Sequence, residues 1–206
     1  MSINQMIEVF NNTLNDEECD SIIELFESDD RQARPVHNSR AKVSTDVNAE
    51  FNSNEFRFYN SIIYPNLCNA RKKYVEKYPV LDRVTSQEWD LLALYRIQRY
   101  LDGEGYYQPH CEQGADTPPM IMTWTIYLND AECGTKYVNQ DLVIPAVKGS
   151  CCITPAFWTH THHGVTPNIG TKYIATGWWS YKPTNSTGWW SNDNNWKDHF
   201  LSLIHI

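Results

Sequence analysis

The feature that most restricts the fold is the way the chain from about residue 89 onward breaks into short apolar runs. Five such runs cover 91–100, 120–128, 142–147, 150–154 and 171–179, separated by turns containing Gly, Asp or Pro. Runs of this length with period-two alternation predict β-strands, and a succession of them predicts two antiparallel sheets laid face to face. The expected class is α+β: a double-stranded β-helix, or jelly-roll barrel, behind N-terminal packing helices. The 206 residues suit one domain with a real core. Its expected parts are a helical region over about 1–80, the jelly-roll core over about 89–182, and a tail over about 185–206.

The N-terminal third follows a helical period instead. Asn15 precedes an acidic first turn, and Glu18 stands at the reciprocal position of a capping box. Ile22, Ile23 and Phe26 then form one apolar stripe. A second helix is expected over 54–78, with Phe56, Tyr59, Ile63, Leu67 and Tyr74 on one side and a kink or break at Pro65. Between the helices, 31–46 is polar and helix-poor. It is either a loop or short strands at a substrate mouth, or a solvated connector, with His37 at the surface. The tail, with Trp189, Trp190 and Trp196 among Asn and Asp, is expected to pack on the domain.

Charge and composition exclude several functions. The formal net charge of −8 gives no electrostatic footprint for a phosphate backbone, so no nucleic acid is expected. No run approaches the length of a membrane span, and the first residues lack a basic start and an apolar h-region. The six cysteines, Cys19, Cys68, Cys111, Cys133, Cys151 and Cys152, match neither a zinc signature nor a disulfide framework. Reduced thiols in a cytoplasmic protein are the expectation.

The chemistry is concentrated in two segments. His110 and Glu112 stand two apart, so on a strand both side chains leave one face. An imidazole and a carboxylate side by side are two of the three ligands of a 2-His-1-carboxylate facial triad, which leaves open positions on iron(II). Three histidines crowd the region where the third ligand is sought: His160, His162 and His163. By strand parity His160 and His162 face one way and His163 the other. Lys172 shares its inward parity with Ile174 and Thr176, which argues for a buried cation in need of an anion. Cys111 points to the opposite face from the two proposed ligands and is a packing residue in this reading.

Taken together, ligands, spacing and flanking strands from about Leu94 to Trp179 resemble the iron(II)- and 2-oxoglutarate-dependent dioxygenases of the prolyl 4-hydroxylase type. The resemblance implies that His110, Glu112 and His162 hold iron. It implies that Lys172 pairs with the distal carboxylate of 2-oxoglutarate, and that Tyr100, Tyr127 and Thr135 hydrogen-bond this cosubstrate. Tyr107 and Trp178 match aromatics near the family's substrate. The implied reaction consumes dioxygen and 2-oxoglutarate, releases succinate and CO2, and uses ascorbate as reductant. The chain departs from the family at Glu112, where Asp is commoner, and at Met120, where many members have a substrate-side Arg.

The expected activity is hydroxylation of peptidyl proline, by a monomer or homodimer. The alternatives are a 2-oxoglutarate oxygenase acting on a free amino acid or other small molecule, a nucleobase demethylase, and a non-enzymatic jelly-roll binding module. The acidic balance counts against the demethylase, and a binding module would not need His, Glu, His and Lys at these spacings.

Overall fold

The computed structural model describes residues 6–34, 40–84, 88–114, 117, 119–167 and 169–182. Nine strands fall into two antiparallel sheets. They are β1 (Glu8–Phe10), β2 (Thr45–Glu50), β3 (Trp89–Tyr100), β4 (Met120–Tyr127), β5 (Ala131–Tyr137), β6 (Leu142–Ala146), β7 (Cys151–Pro155), β8 (His162–Val165) and β9 (Lys172–Tyr181). The larger sheet has the order β1-β7-β4-β9-β3-β2 and the smaller the order β6-β5-β8. The arrangement is the jelly-roll expected from the strand punctuation, but its two sheets face each other without closing into a barrel. Besides β1 and β2 of the N-terminal third, the strands β5 and β8 were absent from the sequence-based set: Glu132 and Lys136 interrupt the apolar character of β5, and β8 is four residues long with two histidines.

The outer face of the larger sheet is covered by α1 (Asp16–Glu27) and α2 (Arg57–Lys77), followed by a short α3 (Val80–Val84). The capping box forms as expected: the Glu18 amide donates to Asn15 Oδ1, and the Asn15 amide donates to Glu18 Oε2, both at 2.9 Å. Cys19, Ile22 and Phe26 are buried from α1, and Tyr59, Ile63, Leu67, Ala70 and Tyr74 from α2. They meet Tyr95, Ile97, Trp124, Ile126, Ala175 and Trp179 in one core. Gly177 is small for a reason: a Cβ there would lie 2.6 Å from the Trp124 ring, which crosses β9 at that point.

Two expectations about this third need correction. Pro65 neither splits nor ends its helix, which runs unbroken from Arg57 to Lys77. Pro65 and Ser61 both lie on the exposed face, so the carbonyl that loses its donor faces water, and the missing bond costs less than it would in a core. The region is also less helical than its periodicity implied, since it supplies β1 and the edge strand β2. Within 31–46, the stretch 41–46 is no solvated connector, with Ala41, Lys42, Ser44, Thr45 and Asp46 all buried, whereas Arg31, Ala33, Arg34 and Arg40 are exposed. His37 and the tail fall outside the described residues.

Replacing Asn15 by Ala should remove the side-chain half of the capping box, the Oδ1 acceptor for the Glu18 amide, and lower the unfolding free energy by about 1 kcal/mol. Chemical denaturation of the two proteins measures this directly, and an unchanged midpoint would mean that the cap is not a stabilising element of α1.

Candidate metal and cosubstrate site

Strand parity decides what faces the space between the sheets. On β9 the inward residues are Lys172, Ile174, Thr176 and Trp178, and on β3 they are Tyr100, Gln98, Arg96 and Leu94. The two strands run antiparallel, with Tyr100 opposite Lys172, Gln98 opposite Ile174 and Arg96 opposite Thr176. Tyr127 comes from β4, opposite Ile174, and Thr135 from β5.

His110, Glu112 and His162 converge, each offering one ligand atom within 4.8 Å of the others. Glu112 Oε1 lies 3.5 Å from His110 Nε2 and 3.3 Å from His162 Nε2. The segment 110–112 is not the strand that the spacing suggested. His110 forms a single antiparallel bridge with His162, through His110 N to His162 O at 2.9 Å and the reverse bond at 2.8 Å. The Glu112 and Gln113 amides then both donate to the Ala156 carbonyl, at 3.1 and 3.0 Å. That turn, rather than pleating, aims the carboxylate at the imidazoles.

Both rings are oriented from behind. His110 Nδ1 lies 3.0 Å from the Gln108 carbonyl, and His162 Nδ1 lies 2.9 Å from the His160 carbonyl. A carbonyl accepts only a proton, so each Nδ1 carries the N–H, and Nε2 is the ring nitrogen that faces the shared space. This is the arrangement a metal ligand bound through Nε2 requires. Tyr106 stacks on the His110 ring at 3.7 Å, nearly parallel. Burial would raise the Glu112 carboxyl, but hydrogen bonds and charge from His110 and His162 hold it well below its usual range. The donor set, two imidazoles and a carboxylate, fits a divalent iron.

The other two histidines behave as non-ligands. His160 is buried on a 3-10 turn, with Nδ1 3.0 Å from Thr159 Oγ1. His163 Nδ1 sits 3.3 Å from the Gly164 carbonyl. Cys111 turns away to the Gln113 carbonyl.

The cosubstrate residues gather deeper along the same inner face. Lys172 is 3 % exposed, and among the described residues its Nζ has only carbonyls within hydrogen-bond reach, Val165 at 3.3 Å and Gly134 at 3.5 Å. It lies 4.8 Å from the centre of the Tyr100 ring. Burial pulls its pKa down, so an anion placed here would restore the charged form. Gly134 is required by the pairing of β5 with β6, since a Cβ there would lie 1.9 Å from the Ile144 carbonyl oxygen. Tyr127 and Thr135 share a 2.8 Å hydrogen bond, and the Tyr100 hydroxyl donates to Gln98 Oε1 at 3.0 Å.

The two residues matched to the substrate side part company. Tyr107 is at the rim, 37 % exposed, and its hydroxyl donates to the Gly103 carbonyl. Trp178 is 4 % exposed, and its indole Nε1 donates to Glu112 Oε2 at 2.8 Å. Its contact is therefore with the back of the carboxylate ligand. Met120 packs beside it, with Leu92, Leu94 and Ala156.

A polar cluster next to the triad was not legible in the sequence. Asp46 accepts from Lys42 Nζ at 2.6 Å, Ser44 Oγ at 2.6 Å and Gln98 Nε2 at 2.9 Å. Arg96, 8 % exposed, places its guanidinium 5.6 Å from the centre of the Trp178 ring. Tyr106 was also missed, although its four-residue distance to His110 carried the parity signal that Tyr107 lacks.

Comparison with known proteins agrees with this geometry. Residues 95–180 match the family model described as the 2OG-Fe(II) oxygenase superfamily. No curated protein matches the sequence significantly. Among solved structures, the viral collagen prolyl hydroxylase of Paramecium bursaria Chlorella virus-1, in its 2OG complex, is 18 % identical. It covers 87 % of this chain and 98 % of its own, with a TM-score of 0.61. A Pseudomonas putida prolyl-4-hydroxylase is 12 % identical over 87 % of this chain and 95 % of its own, with a TM-score of 0.64. A Trichoplax adhaerens prolyl hydroxylase, in complex with a hypoxia inducible factor peptide fragment, is 14 % identical over 86 % and 84 %, with a TM-score of 0.64. At these identities what is shared is the fold. The chain thus has the fold of these prolyl hydroxylases, and its residues 95–180 are similar to the 2OG-Fe(II) oxygenases.

Trp178→Phe keeps the aromatic body and removes the donor to Glu112. Losing such an outer hydrogen bond to a ligand should weaken iron(II) affinity about 10- to 100-fold. Competition with a metal-binding dye reads this, and unchanged affinity would show that the indole is only packing.

Proposed function

We propose that this protein is an iron(II)- and 2-oxoglutarate-dependent hydroxylase with a prolyl unit as substrate. The observation that carries the reading is the buried Lys172 ammonium, which has no carboxylate partner among the described residues and shares an inner face with the His110–Glu112–His162 cluster. A buried ammonium without a counter-ion is costly, and a dicarboxylate that also chelates the metal would remove the cost. In this reading His110, Glu112 and His162 hold iron(II), and Lys172 takes the far carboxylate of 2-oxoglutarate. Iron with 2-oxoglutarate supplies the oxidising power when bound. The protein binds and orients: Tyr127, Thr135 and Tyr100 line the cosubstrate, while Leu94, Met120 and Trp178 keep water from the reacting face. Ascorbate serves as reductant, and a reducing, cytoplasmic setting suits six unpaired cysteines.

Peptidyl proline is supported by the exposed Tyr107 ring at the rim, a flat surface on which an extended Pro-rich segment can lie. A small-molecule substrate is supported by a different observation, the apolar cluster around Met120, in which no arginine occupies that position.

The test is succinate formation with iron(II), 2-oxoglutarate and ascorbate across a panel of prolyl peptides and free amino acids, with mass spectrometry of each. A +16 product on proline is expected, and full activity of a protein without iron would sink the proposal. Lys172→Ala removes one partner of a buried pair, a loss of about 3–5 kcal/mol. The apparent constant for 2-oxoglutarate should therefore rise by roughly two to four decades, with iron(II) binding retained. An unchanged constant would place the anion elsewhere.

A further inference from the structure

Arg96 is a second buried cation without a counter-ion of its own. It is 92 % shielded from solvent by its 8 % exposure, and among the described residues it has no carboxylate within 4 Å. The groups that interact with it electrostatically are Asp46, Glu112, Tyr106 and Tyr100. Of the two carboxylates, Asp46 already holds Lys42 at 2.6 Å, and Glu112 is directed at His110 and His162. Lys42 and Arg96 therefore share the single charge of Asp46.

The balance persists when the site is filled as proposed above. The two positive charges of iron(II) and that of Lys172 are offset by Glu112 and the two carboxylates of 2-oxoglutarate. Lys42 and Asp46 offset each other. One positive charge remains, and Arg96 carries it on the inner face of β3, beside the Trp178 ring. Its inward position on β3 lies opposite Thr176, one inward step from Trp178, so it stands on the same stretch of sheet as the ring that touches Glu112. The neighbouring wall is apolar: Leu92, Leu94, Met120, Ala156 and Trp178.

A lone cation bordered by apolar side chains recognises an anion on an apolar body. We infer that Arg96 binds a free carboxylate of the substrate, so that the substrate is a small apolar carboxylic acid, either a free amino acid or the C-terminal residue of a peptide. A planar guanidinium grips a carboxylate by two parallel N–H bonds, which fixes the angle at which the apolar part meets the metal. This rests on the oxygenase reading and narrows its substrate. It also accounts for Met120: the basic residue that the site needs comes from β3 rather than from the start of β4.

The probes are L-proline and L-leucine, dipeptides ending in each, the amides of all four, and peptides with the same residue internal. Binding to the protein loaded with iron(II) and 2-oxoglutarate, without oxygen, is followed by calorimetry. The visible absorption of the chelated keto acid reports that the site is intact. At least one free acid should bind about 10- to 150-fold more tightly than its amide, the range of a charge-assisted hydrogen bond. Free amino acids and terminal residues are separated by whichever of the two binds more tightly. Arg96→Met should abolish the preference for acid over amide, and Arg96→Lys should restore part of it. Equal binding of acids and amides to the wild type, or binding of none of the acids while the absorption is present, overturns the inference without recourse to any variant. Absence of the absorption itself would instead count against the oxygenase reading.

Discussion

Two backbone hydrogen bonds, His110 N to His162 O and His162 N to His110 O, govern the site. They bring segments fifty-two residues apart into register at a single antiparallel bridge. Everything that makes the site competent follows from that contact. The imidazoles sit side by side with ring centres 4.6 Å apart, each backed by a carbonyl that accepts from its Nδ1. Glu112 is then brought in by its own bond to Ala156 and held at the rear by Trp178. A ligand set built on a main-chain bridge between the 110–112 turn and β8 is rigid because both anchors are main chain, and it does not depend on a long, flexible side chain finding its place.

The second constraint is electrostatic. Lys42, Arg96 and Lys172 are three buried cations, and among the described residues Asp46 and Glu112 are the carboxylates placed to offset Lys42 and Arg96. Burial pulls all three pKa values down. Asp46 is held below its usual range because the charges of Lys42 and Arg96, with the hydrogen bonds of Lys42 and Ser44, outweigh its own burial. A group with a depressed folded pKa stabilises above its unfolded value and loses that contribution as the pH falls through the folded one. This buried positive charge stands in a chain whose overall charge is −8.

What the sequence disclosed was whatever local chemistry or parity could determine. The Asn15 capping box depends on four adjacent residues. The inward set Lys172, Ile174, Thr176 and Trp178 follows from the period of one strand, and so does the burial of the lysine. What it withheld required a partner distant in sequence. Asp46 lies in a polar stretch and is buried only because β2 pairs with β3, placing it opposite Gln98. Arg96 could as well have snorkelled from an edge strand. The two-residue spacing of His110 and Glu112 pointed to a strand, whereas tertiary hydrogen bonds to His162 and Ala156 made it a turn with the same convergence.

The central claim is that His110, Glu112 and His162 form one iron site that opens onto the anion pocket of Lys172. Anaerobic titration of the metal-free protein with iron(II), followed by 2-oxoglutarate, tests it most directly. The account predicts one iron per chain and a visible absorption that appears only when 2-oxoglutarate is added, with both lost in His162→Ala and retained in His163→Ala. Stoichiometric iron binding that survives His162→Ala and Glu112→Ala alike would contradict it.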